Sequence, residues 1–337
     1  MDTQFYKVFT TSREVKYSYF FSSAKSPKPT LLFLHGFPST ARDWRHIVPY
    51  FKERGYGIVA PDMLGYGGTD KPVDPAAYVP SLISKDIVEI LDVEQLDRVI
   101  GIGHDWGAKA LSRLANYYPE RFTAYAWLAV PFVTPSPLVD FSVVQQIVKQ
   151  RVGYDMYGYW QFFSEDDADK VIQEHMDSFI AILWPHDPSC WKERLAPTGA
   201  LKKTLLEDFR TPLPSYLTEE DKQDVVRTFR EGGFQAPTCW YKIMTSKLGA
   251  QDDQQITPDH AYPPVTAPLF FGAANLDFVC PPANGLAMFK SDAFKEHEVT
   301  IKSYDADHWL ILSNGPQIGH DLEAWILGFS TSQKAHI

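Results

Sequence analysis

The pentapeptide GHDWG at 103–107 places a carboxylate at a predicted turn between a strand and a helix. An apolar run precedes it, and a small-residue helical pattern follows it. This arrangement matches the nucleophile elbow, G-x-S-x-G when serine is the nucleophile, whose glycines let neighbouring backbone approach closely. Here Asp105 replaces the serine. Because a carboxylate that attacks carbon forms an alkyl ester, the motif predicts displacement at a saturated carbon, as in an epoxide or a haloalkane.

This segment has two other interpretations, a dinucleotide-binding loop and a helix N-cap. A dinucleotide-binding loop of the form G-x-G-x-x-G that starts at Gly101 would need glycine where the chain has Trp106, so that interpretation is weak. Asp105 could also be only the N-cap of the helix that starts at Trp106. The choice between capping and catalysis depends on what the rest of the chain brings to the same edge of the sheet.

The composition is that of an acidic globular protein. Its 337 residues are 45% hydrophobic and carry a formal net charge of -10 without a block of lysine or arginine, which argues against nucleic acid or an anionic membrane as partner. Cys190, Cys239 and Cys280 have no C-x-x-C spacing, so neither a disulfide framework nor a zinc site is predicted. Because there is no leader pattern and no bilayer-length apolar stretch, we expect a cytoplasmic protein without a membrane anchor.

Short apolar strands alternate with helical segments in the first third of the chain and again near its end. This alternation predicts a mostly parallel central sheet with helices on both faces. Residues 132–263 are rich in aromatic residues and proline and predict an inserted helical cap, which leaves 1–131 and 264–337 as the core. Strands are predicted at 30–36, 56–62, 98–103, 124–130, 268–275 and 299–304, and helices at 41–54, 80–92, 107–118, 282–290 and 315–328.

Three further strand ends carry residues that suit catalysis, and ligands of a parallel sheet bind beyond such ends. These are the HGFP segment at 35–38, Asp277 and His308. The chain order of nucleophile, acid and histidine is that of an α/β-hydrolase triad. Asp305 and Asp307 are nearer to His308 in sequence, but a residue on the adjoining loop has little room to turn back onto the imidazole. Asp277 is therefore the favoured acid.

The sequence resembles the epoxide hydrolases of the α/β-hydrolase superfamily over nearly its whole length. The resemblance rests on HGFP at 35–38, APDMLGYGGTDKP at 60–72 and GHDWG at 103–107. It implies an α/β-hydrolase fold with a helical cap that places two tyrosines over the nucleophile. The segments YWQFFSE at 159–165 and CWYK at 239–242 are similar to those that carry the two tyrosines.

The resemblance assigns the two roles to Tyr159 and Tyr241, while Tyr154, Tyr157 and Tyr216 stay alternatives for the first. The chemistry explains the need: an opening epoxide develops an alkoxide, and a phenol can hydrogen-bond or protonate that oxygen. A halide leaves without a proton. Haloalkane or haloacid dehalogenation by the same aspartate is the alternative function, although many haloalkane dehalogenases resemble one another in having asparagine where this chain has phenylalanine at position 37.

Together, these residues predict an epoxide hydrolase that converts lipophilic epoxides and water to vicinal diols. Asp105 would form a covalent ester, and His308, oriented by Asp277, would activate the water that hydrolyses it. The backbone N–H groups of Phe37 and Trp106 are expected to form the oxyanion hole.

The remaining expectations concern ligands and the pocket. No organic cofactor or metal is expected, because water is the only cosubstrate and no cluster of His, Cys or carboxylates has ligand spacing. Trp160, Phe163 and Trp309 are candidates for an apolar substrate pocket. The natural epoxide, the selectivity, the oligomeric state and the physiological role, whether detoxification or turnover of lipid epoxides, stay open.

Overall fold

Apolar strands build the centre of the fold in the computed structural model, which describes residues 1–135 and 140–334. In these residues eight strands form one sheet, in the order β1-β2-β4-β3-β5-β6-β7-β8. β2 pairs antiparallel with β1 and β4, and all other neighbours are parallel. The strands are β1 (Tyr6–Thr10), β2 (Lys16–Ser22), β3 (Thr30–Leu34), β4 (Gly57–Pro61), β5 (Val99–His104), β6 (Phe122–Leu128), β7 (Leu269–Ala274) and β8 (Val299–Tyr304).

The helices fall into two groups, those that pack on the sheet and those between β6 and β7. α2 packs on α3, and α3 contacts β3, β5 and β6. α1 contacts β4, α15 contacts β7, and these two helices also contact each other. The helices are α1 (Val48–Glu53), α2 (Pro80–Val93), α3 (Trp106–Tyr117), α4 (Phe141–Val152), α5 (Tyr159–Phe163), α6 (Ala168–Glu174), α7 (Met176–Leu183), α8 (Trp191–Arg194), α9 (Ala200–Leu206), α10 (Glu219–Gly232), α11 (Cys239–Thr245), α12 (Leu248–Asp253), α13 (Pro282–Phe289), α14 (Leu310–Ser313) and α15 (Gly315–Lys334).

The predicted strands and the α/β-hydrolase fold are confirmed. Every residue of β3, β4, β5 and β7 is buried, as expected for parallel strands covered on both faces, and this is why they appear in the sequence as continuous apolar runs. The sequence did not predict β1 and β2. No residue of the edge strand β1 is fully buried, so it has no continuous apolar run to mark it.

We call the chain between β6 and β7 the helical insertion. Its described residues contain helices α4 to α12 and no strand. A buried ion pair joins it to the core: Nε and Nη2 of Arg113 in α3 donate to the two carboxylate oxygens of Asp253 in α12, at 2.6 and 2.8 Å. The division into a core at 1–131 and 264–337 and a cap at 132–263 stays a prediction. Within 1–135 and 140–334, no helix is both long and apolar enough to cross a bilayer.

Candidate active site

Asp105 lies between β5 and α3 in a backbone conformation that few residues other than glycine adopt. Its φ is 53° and its ψ is -123°, and such strain is characteristic of functional turns. Glycines make room for it: a Cβ on Gly107 would lie 2.0 Å from the carbonyl oxygen of Leu34, and one on Gly36 would lie 2.1 Å from Asp105 Oδ1. The glycines therefore allow the close backbone approach that exposes the carboxylate at the edge of the sheet.

The structure brings Asp105, Asp277 and His308 together from the carboxyl ends of β5, β7 and β8. His308 Nδ1 lies 2.6 Å from Asp277 Oδ2, and His308 Nε2 lies 3.4 Å from Asp105 Oδ2. Asp277 Oδ1 accepts hydrogen bonds from the backbone N–H groups of Val279 and Cys280, which fix the carboxylate. The side chain of Asp277 is 0% exposed and that of His308 4%, whereas that of Asp105 is 16% exposed. Asp105 is thus the most accessible of the three.

Charges within this group shift the pKa values of its members. Burial would lower the pKa of His308, but the carboxylates of Asp277 and Asp105 outweigh burial and raise it to about 10. Burial would likewise raise the pKa of Asp105, but hydrogen bonding and the charge of His308 outweigh it and lower that pKa. In the resting protein, an imidazolium therefore lies between two carboxylates.

One of the two expected oxyanion donors contacts the carboxylate. The backbone N–H of Phe37 donates to Asp105 Oδ1 at 2.7 Å. The backbone N–H of Trp106, at the first position of α3, makes no such contact in the described residues. Its role in the oxyanion hole stays a prediction.

Tyr159 in α5 and Tyr241 in α11 come together from distant parts of the helical insertion. Their ring centroids are 5.9 Å apart, and Tyr241 packs at 5.0 Å from the rings of both Phe37 and Trp106. Burial and the nearby Tyr241 raise the pKa of Tyr159 well above its usual value, and burial and the charge of Asp105 do the same for Tyr241. Both phenols are therefore protonated at neutral pH and able to donate a hydrogen bond beside Asp105.

The alternative tyrosines occupy different positions. The hydroxyl of Tyr154 donates to the carbonyl of Phe278, and that of Tyr216 donates to Asp307 Oδ2 at 2.6 Å. These contacts use the protons of both hydroxyls. Tyr157 lines the cavity beside Asp105 and remains the alternative to Tyr159.

A cavity of about 110 Å³ opens beside Asp105. Of the three residues proposed for the substrate pocket, Trp160 borders this cavity, but neither Phe163 nor Trp309 is among the described residues that line it. Phe163 instead packs on Tyr241, and the indole N–H of Trp309 donates to the carbonyl of Leu183 in the protein interior. The lining residues are Asp105, Trp106, Lys109, Val130, Val133, Tyr157, Tyr159, Trp160, Met244 and Cys280.

Two residues near the site were not singled out from the sequence. Lys109 lines the cavity from α3, and its position four residues after the nucleophile is a signal that could have identified it. His104 is buried, and its Nε2–H donates to the carbonyl of His308 at 2.8 Å. Alternation along β5 gives no sign of that contact, because it depends on how the loop after β8 folds back.

One group in the described residues has the composition of a metal site, namely Asp277, Cys280 and His308, whose possible ligand atoms lie within 4.8 Å of one another. The short contact between Asp277 and His308 uses one ligand atom of each. Burial and the charge of Asp277 raise the pKa of Cys280 well above its usual value, which disfavours the thiolate that metals bind. We therefore interpret these three residues as the hydrogen-bonded pair of Asp277 and His308 with Cys280 beside it, and not as a metal site.

Comparisons with known proteins agree with this geometry. Residues 29–315 match the family described as alpha/beta hydrolase fold, and the chain belongs to that family. It is 32% identical to bifunctional epoxide hydrolase 2 of Sus scrofa and to epoxide hydrolase 2 of Siraitia grosvenorii, in each case over 219 residues and 64% of this chain. The matched segment spans 38% of the first protein and 66% of the second, less than two thirds of each.

A solved structure extends the likeness over nearly the whole fold. A mutant epoxide hydrolase of Vigna radiata superposes with a TM-score of 0.77 and 25% sequence identity. The match covers 96% of this chain and 98% of the other. The helical insertion therefore lies within the part of the fold that the two proteins share.

Proposed function

We propose that this protein hydrolyses epoxides to vicinal diols through a covalent ester on Asp105. One observation carries the proposal: the nucleophile position holds a carboxylate, with His308 Nε2 3.4 Å from its Oδ2 and two protonated tyrosines beside it. A carboxylate nucleophile suits displacement at a saturated carbon, and the phenols suit an alkoxide leaving group. The relatives and the structural neighbour are named epoxide hydrolases, which supports the same activity.

In the first step Asp105 attacks one epoxide carbon. Because the Phe37 amide holds Oδ1, Oδ2 is the oxygen that forms the new C–O bond. The ring C–O bond breaks as Tyr159 or Tyr241 gives its proton to the leaving oxygen. This yields a hydroxyalkyl ester and a phenolate, and the phenolate regains its proton from the imidazolium of His308 through water.

In the second step, neutral His308 takes a proton from water while the resulting hydroxide attacks the carbonyl carbon of Asp105. The oxyanion rests on Oδ1, where the Phe37 N–H already donates. The tetrahedral intermediate then collapses, the ester C–O bond breaks, and the diol leaves with a proton from the carboxyl group. Asp105 and His308 return to their resting charges.

The substrate is a lipophilic epoxide under this proposal. The cavity beside Asp105 is bordered by Trp106, Tyr159 and Trp160, together with aliphatic side chains, and such linings favour apolar ligands. Residues 132–263 act as the cap, which brings Tyr159 and Trp160 over the nucleophile.

The proposal is tested by incubating the protein with a disubstituted aryl epoxide and measuring the diol by chromatography. We expect diol from the wild type and none from Asp105→Ala, because the nucleophile is removed. The surface variant Asp305→Ala is the matched control, since Asp305 is exposed. Halide release from a haloalkane panel without diol from any epoxide would refute epoxide hydrolysis and favour dehalogenation.

A further inference from the structure

A buried lysine lies at the wall of the active-site cavity. Lys109 is in α3, four residues after Asp105, and its side chain is only 6% exposed. Both side chains line the same cavity, whose other walls are mainly aromatic and aliphatic. A cation in such surroundings is unusual, since buried lysines are nearly always paired.

The pairing of Lys109 within the protein is weak. Its ammonium lies 4.0 Å from Asp253 Oδ2, beyond hydrogen-bond distance. Arg113 binds both oxygens of Asp253, at 2.6 and 2.8 Å. In 1–135 and 140–334 the Lys109 ammonium makes no hydrogen bond, although an ammonium carries three donors. Its donors are thus available to a molecule in the cavity.

We propose that Lys109 binds the carboxylate of the substrate, so that the preferred epoxides are acids whose carboxylate lies a few carbon atoms from the ring. This inference rests on the proposed epoxide hydrolysis and names its substrate class. Asp105 and Lys109 line the same cavity of about 110 Å³, so a molecule held by both has only a short distance between ring and carboxylate. An anion is favoured over a neutral acceptor because it accepts hydrogen bonds from the Lys109 ammonium and also neutralises the buried charge of that group.

The electrostatics of the cavity make this preference depend on pH. Burial, reinforced by the charge of Arg113, lowers the pKa of Lys109 to about 7, against the opposing effect of Asp253 and Asp252. Lys109 is therefore charged below about pH 7 and loses its charge above it. The ionisable groups around it are Asp105 before α3, Arg113 on α3, Asp252 and Asp253 on α12, Tyr157 and Tyr159 of the helical insertion, and Cys280 after β7.

The test compares acid and amide forms of the same short terminal epoxides, derived from butanoate, pentanoate and hexanoate. The amide has the same shape without the charge. At pH 6 the wild type should favour the acid of at least one chain length by about tenfold or more in kcat/KM, as expected for hydrogen bonds to a charged group. Lys109→Met should bring that ratio close to one. Lys203→Met is the control, because that lysine is 75% exposed, and it should keep the wild-type ratio.

The wild type supplies a second readout that does not depend on folding of a variant. Its acid-to-amide ratio should fall as the pH rises through about 7, because Lys109 loses its proton there. Effects on Asp105 and His308 cancel in the ratio. Diol from the amides with no preference for any acid would overturn the inference and leave epoxide hydrolysis standing. No diol from any of these compounds, nor from the aryl epoxide, would overturn the proposed function and the inference with it.

Discussion

Replacing Asp277 by asparagine should block hydrolysis of the Asp105 ester far more than its formation. Oδ1 of Asp277 accepts from the N–H groups of Val279 and Cys280 at 2.9 and 2.8 Å, and an amide oxygen can keep both bonds. The NH₂ group then replaces Oδ2, which lies 2.6 Å from His308 Nδ1. Because an amide N–H only donates, Nδ1 must accept, and the ring proton moves to Nε2. Nε2 faces Asp105, so His308 is lost as the base.

The burial of this pair sets the size of the effect. The Asp277 side chain is 0% exposed and that of His308 4%, so water does not replace the missing partner. In a serine-protease triad, an Asp→Asn change that fixes the wrong histidine tautomer lowers kcat by about 10⁴-fold. Because the same change of tautomer is expected here, diol release should slow by about 10²–10⁴-fold.

Rapid mixing followed by intact-protein mass measurement separates the two steps. In Asp277→Asn the protein should gain the mass of one epoxide and hold it, whereas the wild type should turn over without such accumulation. Asp305→Asn is the control, because this residue lies on the loop before His308 and is exposed. A variant that forms ester as slowly as it releases diol, or that turns over normally, would refute the assignment of Asp277.

Three further outcomes follow from the structure. Tyr159→Phe and Tyr241→Phe should each slow ester formation by about 10²-fold, and the double variant by more, measured as the rate of mass gain. Arg113→Met should lower the free energy of unfolding by about 3–5 kcal/mol, because it removes the arginine that pairs with the buried carboxylate of Asp253. The control is Arg227→Met: the Arg227 side chain is 62% exposed, so its loss should cost under about 1 kcal/mol. Denaturant titrations measure both values. Burial would lower the pKa of His308, but two carboxylates raise it from 6.5 to about 10. The stability that this shift gives is complete below pH 6.5 and is lost as the pH rises through 10. His308→Gln should therefore flatten the dependence of the free energy of unfolding on pH over that window.

The parallel part of the sheet could be predicted from the sequence because its physical cause is local. Strands covered on both faces are continuous apolar runs, and β3, β5 and β7 show this in every residue. The elbow was visible for a similar reason, since close backbone contacts at Gly103 and Gly107 exclude any side chain. The edge strand β1 has no such cause, because none of its residues is fully buried.

The order of residues along the chain predicted which strand ends meet, but not the contacts that depend on packing. The distance between Asp277 and His308 depends on two loops after neighbouring parallel strands, which chain order and topology place together. By contrast, the meeting of Tyr159 and Tyr241 depends on the packing of two short helices, α5 and α11, and no local pattern encodes it. Lys109 was missed because lysine is ordinary on a helix surface, and only the helical insertion makes its position a buried one.

The charges of the site explain the order of the two half-reactions under the proposed mechanism. In the resting protein Asp105 is one of the two carboxylates that raise the pKa of His308, so it keeps the imidazole protonated. Esterification removes the charge of Asp105, and the pKa of His308 must then fall, while Asp277 still holds Nδ1. The imidazole thus becomes a base only after the ester has formed. Water is therefore not activated against a free epoxide, and hydrolysis is directed at the carbonyl carbon of Asp105.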